Sequence, residues 1–177
     1  MDYTKIAEHY IKKLIPSAGY NSPNPCRDTG LLFGDFYKLV KKGIKEFNKV
    51  HPDAEVILVE TYRSNKLQEQ YFNSGASKIR KNGMHHYAIA ADCAFKVSGK
   101  LTWNGDYKTL RQCFDDAGLE LLGLWDAGHV QFIPVAGQAS LRSAVDKAVR
   151  EFQRKNGLTA DGIVGPKTIA KAKELYG

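Results

Sequence analysis

A single carboxylate lies inside an apolar run that otherwise has the pattern of a buried strand. The stretch MHHYAIAADCAF, residues 84–95, places Asp92 among Ala, Ile, Cys and Phe, shortly after two histidines. Burying an ionised side chain costs far more than burying a neutral polar one, unless a partner compensates its charge. The chain must therefore fold so that a compensating partner reaches Asp92.

A bound dication would compensate Asp92 better than a neutral polar group. His85 is seven residues away, and this odd separation would put the two side chains on opposite faces of one continuous strand. We therefore predict that HHYA forms a loop that brings His85 to the edge of the strand. Without a metal, the same two residues would form a buried hydrogen-bonded pair.

The stretch WDAGHVQF supplies a third candidate ligand. His129 begins another apolar run, with Gln131 on its own side, and Asp126 precedes it by three residues. Two histidines and one carboxylate, with water in the fourth position, match the ligand set of a catalytic zinc site. Asp126 then has the place of a general base beside that water.

Apolar spacing and turn signals predict a mixed order of helices and strands. Strands are predicted over residues 54–62, 87–95 and 128–134, and helices over 1–16, 31–51, 66–75, 106–120, 139–158 and 166–176. Short strands in this order favour an α+β fold over a doubly wound parallel sheet. We expect a small antiparallel sheet flanked by helices and carrying the zinc site, plus a small all-α C-terminal element.

Composition limits the classes of partner and site. The 177 residues carry a net charge of +7, concentrated in the last forty residues with +4, which favours an anionic partner. Three widely spaced cysteines indicate neither a disulfide framework nor a CxxC motif. No apolar stretch approaches the roughly 18 residues of a membrane span, and the first residues do not resemble a signal peptide. We expect a monomer that is made in the cytoplasm and does not insert into membranes.

The metal-site residues resemble a motif of the bacterial and phage zinc peptidases that act on peptidoglycan. This family comprises the D-alanyl-D-alanine carboxypeptidases and the L-alanyl-D-glutamate endopeptidases. Its motif, SxHxxGxAxD, corresponds here to GMHHYAIAAD, in which His85, Ala90 and Asp92 match. Gly83 stands in place of the motif serine and Ala88 in place of the motif glycine.

The resemblance extends from the start of the chain to the neighbourhood of Val135 and implies roles for several side chains. An acidic residue three positions before a histidine also belongs to the pattern, and Asp126 with His129 matches it. TYRSNKLQEQYFNSG supplies the family's arginine and, five residues later, its glutamine. The resemblance implies one zinc held by His85, Asp92 and His129, with Asp126 as base and with Arg63 and Gln68 binding the substrate or the oxyanion.

The C-terminal stretch AVREFQRKNGLTADGIVGPKTIAKA resembles the helical peptidoglycan-binding repeat of wall hydrolases. Matching positions are Ala148, Phe152, Gln153, Gly157, Leu158, Asp161, Gly162, Gly165 and Thr168. The repeat is incomplete, because AGQASLRS is too short for the further helix and first DGxxG turn that usually precede it. We expect a catalytic domain over 1–136 and a partial binding element over 138–177, which either docks on the catalytic domain or gives weak affinity for the wall.

These resemblances imply hydrolysis of the peptidoglycan stem peptide. The L-alanyl-D-glutamate endopeptidase activity of a phage or prophage endolysin is favoured, and D-alanyl-D-alanine carboxypeptidase activity is the alternative. Such an enzyme would stay in the cytoplasm until a separate pore-former opened the membrane. A wall-binding protein with a structural zinc is the non-enzymatic alternative. A nucleic-acid partner is not expected, since the chain carries no recognisable reading motif.

Overall fold

The computed structural model describes residues 2–177 and has helices and strands in mixed order. The helices are α1 (Thr4–His9, continued by a π-helical turn over Tyr10–Leu14), α2 (Gly34–Val50), α3 (Asn65–Asn73), α4 (Tyr107–Asp116), α5 (Gln138–Lys155) and α6 (Pro166–Tyr176). The strands are β1 (Ala54–Glu60), β2 (Ala90–Val97), β3 (Lys100–Thr102), β4 (Glu120–Leu121) and β5 (His129–Gln131). The α+β class is confirmed.

The five strands form one antiparallel sheet in the order β1-β2-β5-β4, and β3 also pairs with β2. Asp92 of β2 lies opposite His129 of β5. On the other side of β2, a bulge between Leu58 and Glu60 brings Glu60, instead of Val59, opposite Asp92. Because opposed residues of antiparallel strands point to the same face, three chemically active side chains share one face of the sheet.

The sheet belongs to a compact unit formed by residues 25–63 and 88–134. Helix α2 packs against α4, and its buried positions Phe36, Val40, Gly43 and Phe47 recur at the three- and four-residue spacing of one helix face. Gly43 is needed there, because a Cβ atom at this position would collide with the Phe114 ring. Ala91, Cys93 and Phe95 on the apolar face of β2 are fully buried, so the unit has its own core.

A second compact unit combines the segment that ends at Asn24 with the segments Ser64–Tyr87 and Val135–Gly177. Helix α5 contributes its buried positions Leu141, Val145, Val149 and Phe152. Helix α1 packs against α5, and the π-helical turn that continues α1 packs against α6. The C-terminal helices therefore share a unit with the N-terminal helix. The functional division at residue 136 stays a prediction.

Among residues 2–177, none of the helices has both the length and the apolar character needed to cross a lipid bilayer.

Ala88 has the left-handed backbone conformation, with a positive φ, that usually requires glycine. It links the turn at Met84–Tyr87 to β2, and its carbonyl accepts a hydrogen bond from Phe33 N at 2.9 Å. The loop adopts this conformation with alanine, at a cost of about 1 kcal/mol for a non-glycine residue in this region.

We predict that Ala88→Gly is less destabilising than Ala91→Gly, by about 1 kcal/mol. Both alanines are fully buried, so both variants lose one buried methyl group. Only the variant at residue 88 also relieves a left-handed backbone, because Ala91 lies within strand β2. Urea unfolding of the two variants measures the difference. Equal losses of stability would show that Ala88 carries no strain.

Candidate metal centre

Asp92 lies between an arginine and a histidine. Its Oδ1 is 2.9 Å from Nδ1 of His129, and its Oδ2 accepts a hydrogen bond from Nη2 of Arg63 at 3.1 Å. Arg63 also contacts Glu60, with Nε donating to Oε1 at 3.0 Å. Glu60 and His129 are buried, while Asp92 is half-buried. The compensating partner that the sequence required therefore includes an arginine and a histidine of the protein itself.

Both ring nitrogens of His129 have a polar partner, and these contacts orient the imidazole. Its Nε2 lies 3.1 Å from Oε1 of Gln131, whose own Nε2 donates to the Ile133 carbonyl at 2.6 Å. Burial lowers the pKa of His129, but the hydrogen bond and charge of Asp92, with a further contribution from Asp126, outweigh burial and raise it. The predicted placement of Gln131 on the side of His129 is confirmed.

Three metal-ligand side chains approach one another closely. One imidazole nitrogen each from His85 and His129 and one carboxylate oxygen of Asp92 lie within 4.8 Å of one another. His85 and its three neighbours in the turn Met84–Tyr87 are buried. Two imidazoles and one carboxylate fit a dication that accepts nitrogen and oxygen ligands, such as zinc or non-haem iron(II). The group is thus suited to hold a metal ion.

Asp126 lies near His129, on the turn Leu124–Asp126 that precedes β5. Its charge acts on His129, and its side chain is half-buried. Asp92 and Asp126 both line an open cleft of about 340 Å³, whose other lining residues are Trp103, Tyr107, Leu124, Trp125, Ala127 and Gly128. Trp103 is 60% exposed and Trp125 is 80% exposed. The cleft thus combines two carboxylates with accessible aromatic walls.

Gly128 allows the turn that carries Asp126 to lie directly against β2. Its carbonyl accepts a hydrogen bond from Cys93 N at 2.8 Å. A Cβ atom at residue 128 would lie 2.6 Å from the Cys93 carbonyl oxygen, which is too close for any other residue. The glycine therefore fixes the start of β5 and with it the position of His129.

The remaining predicted residue, Gln68, is buried in the second compact unit, called here the helical unit. Its Nε2 donates to Ser77 Oγ at 2.9 Å and to the Ile79 carbonyl at 2.6 Å. These bonds hold the segment that follows α3. Its contact with substrate or oxyanion stays a prediction.

Sequence reasoning missed Glu60. Its relation to Asp92 arises from the bulge in β1, which the pattern AEVILVETY does not reveal. The signal that was available is its spacing, since Glu60 precedes Arg63 by three residues at the end of a buried strand. A buried carboxylate next to an arginine indicates an ion pair that fixes the arginine.

Comparisons with known proteins found a matching family model for the C-terminal part and similarity to a solved structure. Residues 130–171, which include α5 and the first part of α6, match a family model described as a putative peptidoglycan binding domain. The chain is similar to the crystal structure of the L-Ala D-Glu endopeptidase ChiX of Serratia marcescens, with 18% identity and a TM-score of 0.45. This similarity covers 58% of the present chain and 80% of the other. No curated protein sequence matches the chain.

We predict that Glu60→Gln lowers the free energy of unfolding by about 2–4 kcal/mol, because it leaves Arg63 with an incompletely compensated buried charge. Glu55→Gln is the matched control on the same strand. The exposed Glu55 carboxylate lies 3.6 Å from Lys96 Nζ, and such a surface pair contributes less than about 1 kcal/mol. Urea unfolding of both variants measures the effects. Equal losses would mean that Glu60 contributes no more than a surface charge.

Proposed function

We propose that this protein hydrolyses a peptide bond in the stem peptide of peptidoglycan with one bound zinc ion. The observation that carries the proposal is the approach of one ligand atom each from His85, Asp92 and His129 to within 4.8 Å, with the charge of Asp126 acting on His129. The motif shared with peptidoglycan zinc peptidases supports the reaction class. The match of residues 130–171 to a peptidoglycan-binding model supports peptidoglycan as the partner and the cell wall as the place of action.

Bound zinc would act as a Lewis acid toward the substrate carbonyl and lower the pKa of a nearby water. Asp126 would accept a proton from the attacking water and return it to the amine that leaves when the C–N bond breaks. Its half-buried carboxylate in an open cleft has access to both water and substrate. Asp126 would thus carry out both proton transfers of the reaction.

Arg63 would serve the reaction through its charge. It is fixed by Glu60 and Asp92, and its side chain is 14% exposed. A guanidinium that is already oriented stabilises the oxyanion of a tetrahedral intermediate without reorganisation during the reaction. Gln68 remains a proposed substrate contact that the sequence resemblance alone supports.

The L-alanyl-D-glutamate bond is the favoured substrate, with D-alanyl-D-alanine carboxypeptidase activity as the alternative. An endolysin role in a phage or prophage is part of the same proposal, since such an enzyme needs both bond cleavage and attachment to the wall. The +4 charge of the last forty residues would favour anionic wall polymers. A wall-binding protein with a structural zinc would have no use for the carboxylate of Asp126, which favours the enzyme.

We predict about one zinc per chain in the wild-type protein, and none in His129→Ala, because the three-ligand set loses one imidazole. His51→Ala is the control, since His51 contacts Asp106 and belongs to no metal-ligand group among the described residues. Metal analysis of the purified proteins gives the zinc content. Digestion of purified peptidoglycan, followed by mass spectrometry of the new termini, identifies the cleaved bond. A wild type that binds zinc but releases no termini would leave the structural-zinc alternative.

We predict that Asp126→Asn keeps its zinc but loses about 10²- to 10⁴-fold in kcat, because an amide cannot accept the proton. Asp115→Asn, at an exposed position of α4, should keep full activity. Turnover of a soluble stem-peptide fragment at saturating zinc measures both variants. Near wild-type turnover in Asp126→Asn would remove this residue from the mechanism.

A further inference from the structure

The residues that carry His85 are held by polar contacts from three helices of their own unit. The segment 82–87 leads from the end of the loop after α3 into the turn Met84–Tyr87. Asn82 has a left-handed backbone with a positive φ, which the segment needs to change direction. Asn65, at the start of α3, stabilises this conformation. Its Oδ1 accepts from Asn82 N and its Nδ2 donates to Asn82 Oδ1, both at 2.8 Å.

Helix α5 contacts the start of this segment through one arginine. Nε and Nη2 of Arg142 donate to the Asn82 carbonyl at 3.1 and 2.9 Å. Burial raises the pKa of the Tyr87 side chain, and the charge of the same guanidinium opposes this shift. Arg142 therefore holds the first residue of the segment and acts electrostatically on its last, and His85 lies between them in the chain.

The N-terminal helical segment contacts the middle of the turn. The Tyr10 hydroxyl lies 2.8 Å from Nε2 of His86 and 2.6 Å from the hydroxyl of Tyr20. Tyr10, Tyr20 and His86 are all buried, so these bonds are shielded from water. His86, the neighbour of His85 in the chain, is thus anchored to the N-terminal helical segment, and the Asn65 side chain lies 3.4 Å from the same ring nitrogen.

We infer that Arg142 and Tyr10 are positioning residues for the metal ligand His85. The inference rests on the metal-dependent function proposed above. Residues outside the ligand set that orient a ligand typically change metal affinity by about 10- to 100-fold when they are removed. Helix α5 lies within the region that matches a peptidoglycan-binding model. That region would therefore serve as scaffold for the metal site as well as for attachment to the wall.

The experiment measures zinc affinity of the full chain by competition with a chromophoric chelator. We expect about tenfold weaker zinc binding in Arg142→Gln and in Tyr10→Phe, at the lower end of the range for such residues. Arg142→Lys should recover part of the loss, because it keeps a cationic donor near the Asn82 carbonyl. Circular dichroism and thermal melting establish that each variant is folded at the assay temperature.

Arg150→Gln is the matched control. Arg150 lies on the same helix and also donates to a backbone carbonyl of a neighbouring segment, that of Ala160 at 2.9 Å, but not to residues 82–87. Its zinc affinity should equal that of the wild type. The inference would be overturned, and the proposed function left standing, by wild-type zinc affinity in both Arg142→Gln and Tyr10→Phe. An equal loss of zinc affinity in Arg150→Gln would have the same meaning. A wild-type protein without zinc affinity would overturn the proposed function and this inference with it.

Discussion

The ion pairs of Asp92 are the constraint around which the sheet is arranged. A chain of contacts runs from the Glu60 carboxylate to the Arg63 guanidinium, then to the Asp92 carboxylate and the His129 imidazole. With a protonated imidazole these charges cancel, whereas a neutral imidazole leaves one negative charge in excess. A metal ion needs the neutral form of histidine as a ligand, so its positive charge would replace that of the lost proton. The same side chains can thus compensate Asp92 with or without an ion.

The backbone around Asp92 has irregular positions that orient the ion pairs and are not explained by packing of the apolar core. The bulge in β1 turns Glu60 toward the ion pairs, and Gly128 allows the turn before β5 to approach β2. Ala88 accepts a left-handed conformation at the junction between the turn of His85 and β2. Strained or special backbone positions of this kind are retained where surrounding contacts enforce them. Here they cluster within a few residues of the candidate metal ligands.

Much of the fold follows from local patterns in the sequence. Helix α3 is capped by Ser64, whose Oγ accepts from Leu67 N at 3.0 Å. Helices α2 and α6 lie within their predicted ranges, and α5 begins one residue before its predicted range, at Gln138. The short strands β3 and β4 were not predicted, because two or three residues carry too little periodicity. The grouping of α1 with α5 and α6 could not be predicted either, since it depends on packing between distant segments.

The candidate site shows the same division between local and long-range information. His85, Asp92, Asp126 and His129 stand out because charged or ligating side chains interrupt apolar runs. Arg63 was predicted only by resemblance to a family, and its two carboxylate partners depend on the pairing register of β1 and β2. Register is a property of the whole sheet, and one bulge decides which side chain of β1 faces Asp92.

The composition of the helical unit from three separated segments has a consequence for folding. Helix α1 is made early during synthesis, but its partners α5 and α6 follow more than a hundred residues later. The amphipathic α1 must therefore keep its apolar face exposed, or covered by a chaperone, while the sheet-containing segments emerge from the ribosome. Long loops must also close before α1 meets α5, which slows assembly of a unit whose helices would otherwise form quickly.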